Sequence, residues 1–148
     1  WMRSRGCRDQ VALCTKVSSG GSAENVPRAL AASLERLGTD RVDIYKMHSP
    51  DTETPISETL AALTAEVRAG RVGVIGGSNY SADQLREALD ASEAGGLSRF
   101  EIVQPQFNLV SREPEDSLFP LCTEEQVAIT PYSPLGAGFL ASLFKEAE

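Results

Sequence analysis

The chain is poor in the residues that build metal centres and disulfide frameworks. It has one histidine and three cysteines (Cys7, Cys14 and Cys122), with no CxxC pair. A structural zinc site needs four clustered nitrogen or sulfur ligands, and one histidine with no cysteine cluster argues against one. An odd cysteine count without pairing spacings points to reduced thiols in a cytoplasmic protein. Cys14 falls in a strand-like run and Cys122 in a helical one, so both read as packing residues. A basic surplus is also missing: 14 Lys and Arg stand against 21 Asp and Glu, a net charge of -7. That balance argues against nucleic-acid partners, whose phosphates need a cationic surface. It leaves room for a phosphorylated cofactor, because backbone dipoles bind phosphate even in an acidic protein. No apolar run reaches membrane-spanning length, and no signal-peptide pattern opens the chain. No GxGxxG follows the first strand-like run, so the dinucleotide-fold fingerprint is absent.

What is present is ordinary for a globular domain: 41% hydrophobic and 24% charged residues over 148 positions. The expectation is one domain, residues 1–148, with one core. Strand-like runs begin near residues 11, 42, 72, 101 and 127, and helical patterns fill the gaps. Strand and helix alternating at this spacing imply parallel strands joined by right-handed crossovers. Two architectures satisfy that pattern, an open doubly wound sheet and a (β/α)8 barrel. WMRSRG reads as the last turn of a helix, with Gly6 as a left-handed cap. The first long helix spans about Asn25 to Leu37, with a stripe of Val26, Leu30, Leu34 and Leu37. Its cap is Asn25 or Ser22. The second opens on Thr54 with Pro55 at its first position. The third opens on the capping-box pair Ser81 and Gln84. The fourth, near Glu113 to Gln126, is kinked or shortened by Pro120.

Each strand-like run ends on a residue suited to chemistry. In a parallel sheet these ends share one rim. Lys16 is a candidate nucleophile, proton-transfer partner or anion anchor, or else a solvated lysine. His48 is a candidate acid, base or hydrogen-bond donor, or a histidine satisfied by backbone. GGSN, residues 76–79, reads as a turn whose glycines allow a ligand close or simply take a left-handed turn. Gln104 closes the fourth run. YSPLGAG, residues 132–138, offers a flat ring and a loop suited to phosphate.

The runs LGTDRVDIYKMHSPD, TPISETLAALTAEVRAGRVGVIGGSNYS, IVQPQFNLVSRE, LFPLCTEE and YSPLGAGFL, in this order, resemble the aldo-keto reductase superfamily across nearly the whole chain. The resemblance implies a (β/α)8 TIM-type barrel, of which about five βα units are present here, roughly the third to the seventh. It implies NADP(H) binding and reduction of a carbonyl by hydride transfer. By position, Lys16 is similar to the family's catalytic lysine, which lowers the pKa of a tyrosine. His48 is similar to the histidine that hydrogen-bonds the substrate carbonyl. Ser78, Asn79 and Gln104 resemble the residues that hold the nicotinamide carboxamide. Tyr132 resembles the aromatic residue stacked on the nicotinamide, and Ser133, Leu135 and Gly136 lie in the pyrophosphate loop. A carboxamide needs donors and acceptors together, which amide side chains supply.

The family's catalytic aspartate and proton-donating tyrosine would precede Trp1, and its last βα unit would follow Glu148. After GFL the family usually continues into small residues and lysine, where this chain has ASLFKEAE. Tyr45, Tyr80 and Tyr132 are poor replacements for the donor, since strand parity turns Tyr45 away from His48. The alternatives are therefore a repurposed relative using Lys16 and His48 for proton transfer, as a lyase or dehydratase, or a non-catalytic binding module. A genuine five-strand half-barrel is expected to self-associate through its open edges.

Overall fold

The computed structural model describes residues 1–142; Leu143–Glu148, most of the ASLFKEAE stretch, lie outside the described residues. Five strands run β1 (Cys14–Val17), β2 (Val42–Met47), β3 (Val72–Ser78), β4 (Phe100–Gln104) and β5 (Ala128–Ile129). They pair in chain order, and all four pairings are parallel. Between them lie α2 (Asn25–Leu37), α3 (Ile56–Arg68), α4 (Ala82–Gly95) and α5 (Leu118–Glu124), while short α1 (Met2–Arg5) and α6 (Phe139–Ser142) flank the set. Sequential order with a helix in every connection is the arrangement of a partial (β/α) barrel, not of a doubly wound sheet, whose strand order reverses.

Helices cover one sheet face, and none covers the other among the described residues. Strand parity sends Val17, Tyr45, Met47 and Ile75 toward the helices, the register irregularity between β3 and β4 brings both Phe100 and Val103 to that side, and all six are buried. There they meet Val26, Leu30, Leu60, Leu63, Leu85 and Ala88. Each such side chain contributes about 1.5–3 kcal/mol by leaving water. Tyr45 is fully buried and donates its hydroxyl to the carbonyl of Val26, 3.3 Å away. Burial, with Glu66 nearby, pushes its phenol well above the ordinary range. The opposite face carries Cys14, Lys16, Ile44, Lys46, Val74, Gly76, Ser78 and Gln104 by registry. Cys14 is exposed there, so it is not the packing residue its strand position suggests; Cys122 is buried as expected.

The helix boundaries follow local chemistry with small offsets. Glu24, neither of the expected caps, immediately precedes α2, while the Ser22 hydroxyl accepts from the amide of Asn25 at 3.2 Å. Leu37 ends that helix 39% exposed and drops out of the stripe, because Gly38 at φ +64 turns the chain away. Pro55, not Thr54, immediately precedes α3. The capping box of α4 forms as expected, with Ser81 and Gln84 exchanging hydrogen bonds. The expected fourth helix is two pieces, a 3-10 turn at Glu113–Glu115 and then α5. Pro120 sits in the first turn of α5, where a missing N–H leaves no intrahelical bond unmade.

Two loops of the rim are fastened to one another by Asp51, which follows β2. Its carboxylate accepts from the amides of Gly21 at 2.6 Å and Glu53 at 3.0 Å. These bonds, Gly21 first, then the Thr54 hydroxyl, hold its pKa down at about 2. A depressed carboxylate stabilises the fold above its unfolded pKa near 4, and the contribution disappears as pH falls toward 2. Asp51→Asn is expected to cost on the order of 1 kcal/mol at neutral pH after allowance for solvent screening. The gap in thermal midpoint between wild type and variant should close between about pH 4 and pH 2. A gap that is constant across that range would show that the carboxylate charge is not what fastens the loops.

Candidate active site at the strand ends

The strand ends carry a connected hydrogen-bond network, and Gln104 is its centre. Its backbone carbonyl accepts from the Ser78 hydroxyl at 2.8 Å and from the Asn79 amide at 3.2 Å. Its side-chain Oε1 accepts from Lys46 Nζ at 2.8 Å. Its Nε2 makes no hydrogen bond among the described residues and is not sealed from solvent. Asn79 continues the network on both sides. Its Nδ2 donates to the His48 carbonyl at 2.9 Å, and its Oδ1 accepts from the Tyr132 hydroxyl at 2.8 Å. Ser78, Asn79, Gln104, Tyr132 and the backbone of His48 are thus one assembly.

The backbone explains how these side chains reach the rim. Asn79 sits at φ +62, a left-handed conformation that asparagine tolerates better than most residues. The turn at 76–79 therefore belongs to Asn79, while Gly76 and Gly77 remain in β3. Neither glycine makes room for a ligand. A Cβ on Gly76 would lie 2.0 Å from the Ile102 carbonyl oxygen, and one on Gly77 would lie 2.6 Å from the Tyr80 ring. Tyr80 packs in the turn, edge-on to Phe100 with ring centroids 5.3 Å apart. Burial raises its phenol to about 12, which makes it a poor acid at neutral pH.

Tyr132 lies past the two-residue β5, beyond the short strand expected to end on it. An isolated parallel bridge to Gln106 holds it, with its amide 3.0 Å from the Pro105 carbonyl. The loop after it has Ser133, Gly136, Ala137 and Gly138 at positive φ. Three of these are consecutive, and the Gly138 and Leu140 amides both close back onto the Leu135 carbonyl at 3.1 Å. Ser133 is held by a residue that was not singled out from sequence. Asn108 is buried and donates Nδ2 to the Ser133 carbonyl at 3.0 Å. Its Oδ1 accepts from the amides of Val110 and Ser111, both at 3.0 Å. The signal available was the asparagine two residues before Val110, which suits a turn closed by its own side chain. Leu135 is 58% exposed, and Gly136 donates its amide to the Ser133 carbonyl at 3.0 Å.

Lys16 and the His48 imidazole stand apart from the network. Lys16 is half-buried at the end of β1, in register with Lys46, and makes no hydrogen bond among the described residues. The His48 side chain is exposed, while its amide donates to the Val17 carbonyl at 3.0 Å. Lys46 was also missed from sequence, since a lysine in mid-strand gives no sign of which face receives it until the registry is known. No group of three or more His, Cys, Asp or Glu side chains is placed to hold a metal among the described residues. No described helix is long and apolar enough to cross a membrane.

The sequence model of the Aldo/keto reductase family matches residues 1–147. The chain belongs to this family. It is 38% identical over 122 residues to the NADH-specific methylglyoxal reductase of Escherichia coli, covering 80% of this chain and 36% of that protein. It is 31% identical over 159 residues to the aldo-keto reductase yakc [NADP(+)] of Schizosaccharomyces pombe, covering 100% of this chain and 46% of that protein. A probable voltage-gated potassium channel subunit beta of Arabidopsis thaliana is 32% identical over 148 residues, with 94% and 45% covered. This aldo-keto reductase chain spans less than half the length of each of these relatives.

Proposed function

We propose that the strand-end network is the nicotinamide end of a dinucleotide site, in a protein that reduces a small carbonyl compound. The observation that carries this reading is the Gln104–Asn79–Tyr132 assembly. It offers an amide donor at Gln104 Nε2, a ring fixed at the rim by its own hydroxyl, and a left-handed loop directly after that ring. That set fits a carboxamide, an aromatic heterocycle and a phosphate, in this order along one rim.

A bound dihydronicotinamide supplies the hydride. The chain's residues do the rest. Ser78, Asn79 and Gln104 hold the carboxamide and so choose which ring face is offered. Tyr132 stacks on the opposite face and blocks it, an orientation effect of the kind that converts binding into rate. Ser133 and Leu135 receive the pyrophosphate through backbone N–H groups, and Gly136, its own amide held by the Ser133 carbonyl, shapes the loop around it. His48 directs an N–H at the carbonyl oxygen of the substrate. The proton donor would be the tyrosine that the family carries ahead of the position of Trp1, and Lys16 offers the cation that lowers its pKa. We read residues 1–148 as one domain carrying this machinery, with NADP(H) as the dinucleotide.

The test is a fluorescence titration of the polypeptide with NADPH and with NADH, followed by dinucleotide oxidation on addition of a small aldehyde. Saturable binding with aldehyde-dependent oxidation is the expected result. Absence of binding to both dinucleotides overturns the reading. Binding without turnover assigns the chain to a binding role instead, the alternative favoured by its likeness to a protein named for a channel subunit. Turnover of an aldehyde or hydroxy compound without dinucleotide assigns it to proton-transfer chemistry.

Tyr132 separates ring from hydroxyl. Tyr132→Phe keeps the stack and removes one hydrogen bond to Asn79, so dinucleotide affinity should fall by only about threefold to tenfold. Tyr132→Ala removes both and should weaken binding by a further factor of about ten or more, the scale of a lost aromatic contact. Equal losses in the two variants, measured in the same titration, would show that the ring carries no stacking role.

A further inference from the structure

Lys46 has no part in the chemistry so far, yet it is the most buried cation on the inner face, 4% exposed. It belongs to β2, and its partner Gln104 belongs to β4, with β3 between them. Two strand spacings separate those backbones, about 10 Å. The lysine crosses because its registered neighbour on β3 is Gly76, which puts no side chain in the way. A buried ammonium needs an oxygen partner, and the Gln104 Oε1 supplies it at 2.8 Å.

The consequence is an orientation. An ammonium donates and never accepts. The carbonyl end of the Gln104 amide must therefore face Lys46, and the NH2 end must face away from it, toward the rim. Without the lysine the two ends of this amide are nearly equivalent in shape, and the side chain is free to present either. The backbone of Gln104 is held independently, by Ser78 and Asn79 at its carbonyl. So Lys46 controls one thing only, which end of the amide is shown to a ligand.

We propose that Lys46 is a positioning residue that locks Gln104 as a hydrogen-bond donor at the rim, so that the site selects a ligand offering a carbonyl oxygen there. The step from lock to nicotinamide rests on the function proposed above. The lock itself does not.

Two measurements separate them. In the first, the Gln104 side-chain NH2 is followed by nitrogen–proton correlation NMR, assigned through its loss in Gln104→Met. The wild type should give one resolved pair. Lys46→Met, similar in length but without donors, should shift that pair and broaden or double it as both orientations become populated. Lys46→Gln, which can donate or accept, should do the same and guards against a folding defect peculiar to methionine. An unchanged amide pair in both folded variants overturns the lock. In the second, NADPH affinity is measured in a double-mutant cycle. Lys46→Met should weaken binding by about tenfold in the wild-type background, the scale of one hydrogen bond. It should do nothing further in the Gln104→Met background, because it acts only through that amide. Equal losses in both backgrounds overturn the positioning role. If the wild type binds no dinucleotide while the amide still responds to Lys46→Met, the nicotinamide reading fails and the lock stands.

Discussion

Gly76→Val should strongly destabilise the folded state. The hydrogen that Gly76 carries in place of a side chain points at the neighbouring strand. A Cβ there would be 2.0 Å from the Ile102 carbonyl oxygen and 2.7 Å from the Ile102 Cγ2. The first of these atoms is backbone, so no rotamer change relieves the contact. Registry adds to the difficulty: Gly76 pairs with Ile102 directly after the irregularity between Ile75 and Gly76, where β3 and β4 are already locally distorted. β3 is also the central strand, paired on both sides, so it cannot move away from β4 without opening its contacts with β2. Overpacking of an ordinary core position costs about 1–3 kcal/mol. A backbone collision in a central strand should exceed that, reaching ~4 kcal/mol or more, a large part of the roughly 5–15 kcal/mol that holds a domain together. The control is Gly70→Ala. Gly70 has φ +71 but open space around its Cβ position, so it should lose only about 1 kcal/mol to backbone strain. Urea unfolding of both variants checks the contrast. A Gly76→Val protein that unfolds at the wild-type midpoint would mean the β3–β4 contact is not as close as described.

Gly76 also marks where the sequence was legible and where it was not. The periodic stripes of α2, α3 and α4 and the alternation of strand and helix narrowed the architecture to parallel βα units, because those signals are local and recur along the chain; the barrel over the doubly wound sheet came from the family resemblance and then from the strand order. Even the rim was legible, since parallel strands bring their ends together whatever the details. Ser78, Asn79, Gln104 and Tyr132 were singled out one strand end at a time, and they form one network. What sequence could not supply was the reason for GGSN. Gly76 and Gly77 look like a ligand-binding turn, but they are strand residues whose side-chain space is taken by Ile102, Tyr80 and Phe100. That reason lies in other strands, and no local pattern reports it. Lys46 was missed on the same grounds. Its role depends on a glycine one strand away and an amide two strands away. Cys14 fails in the opposite sense: its strand was read correctly, but whether a face is covered is a property of the assembly, not of the strand.

Lys16→Met should remove carbonyl reduction while leaving the fold and the dinucleotide site nearly intact. The structural half of that expectation follows from its surroundings. Lys16 is half-buried, makes no hydrogen bond among the described residues, and stands in register beside a second lysine. Removing it breaks no contact and relieves the repulsion of Lys46, so the thermal midpoint should hold or rise slightly. The network that would receive the nicotinamide does not include it, so NADPH affinity should stay close to wild type. Turnover is different. A cation next to a phenolic proton donor favours the phenolate and brings its pKa toward the working pH. Loss of such tuned acid catalysis lowers the rate by about 10²–10⁴-fold. The pH profile carries the sign. Without the cation the donor's pKa rises, so the alkaline limb of the rate profile should move to higher pH as the plateau falls. Lys16→Arg keeps a positive charge and should recover part of the rate, although its planar, more diffuse guanidinium is a poorer match. Single-turnover rates with NADPH and an aldehyde across pH, set beside the binding constants, test all of this together. A Lys16→Met protein that turns over at the wild-type rate with an unmoved alkaline limb removes Lys16 from the mechanism, and leaves His48 as the residue proposed to act on the carbonyl.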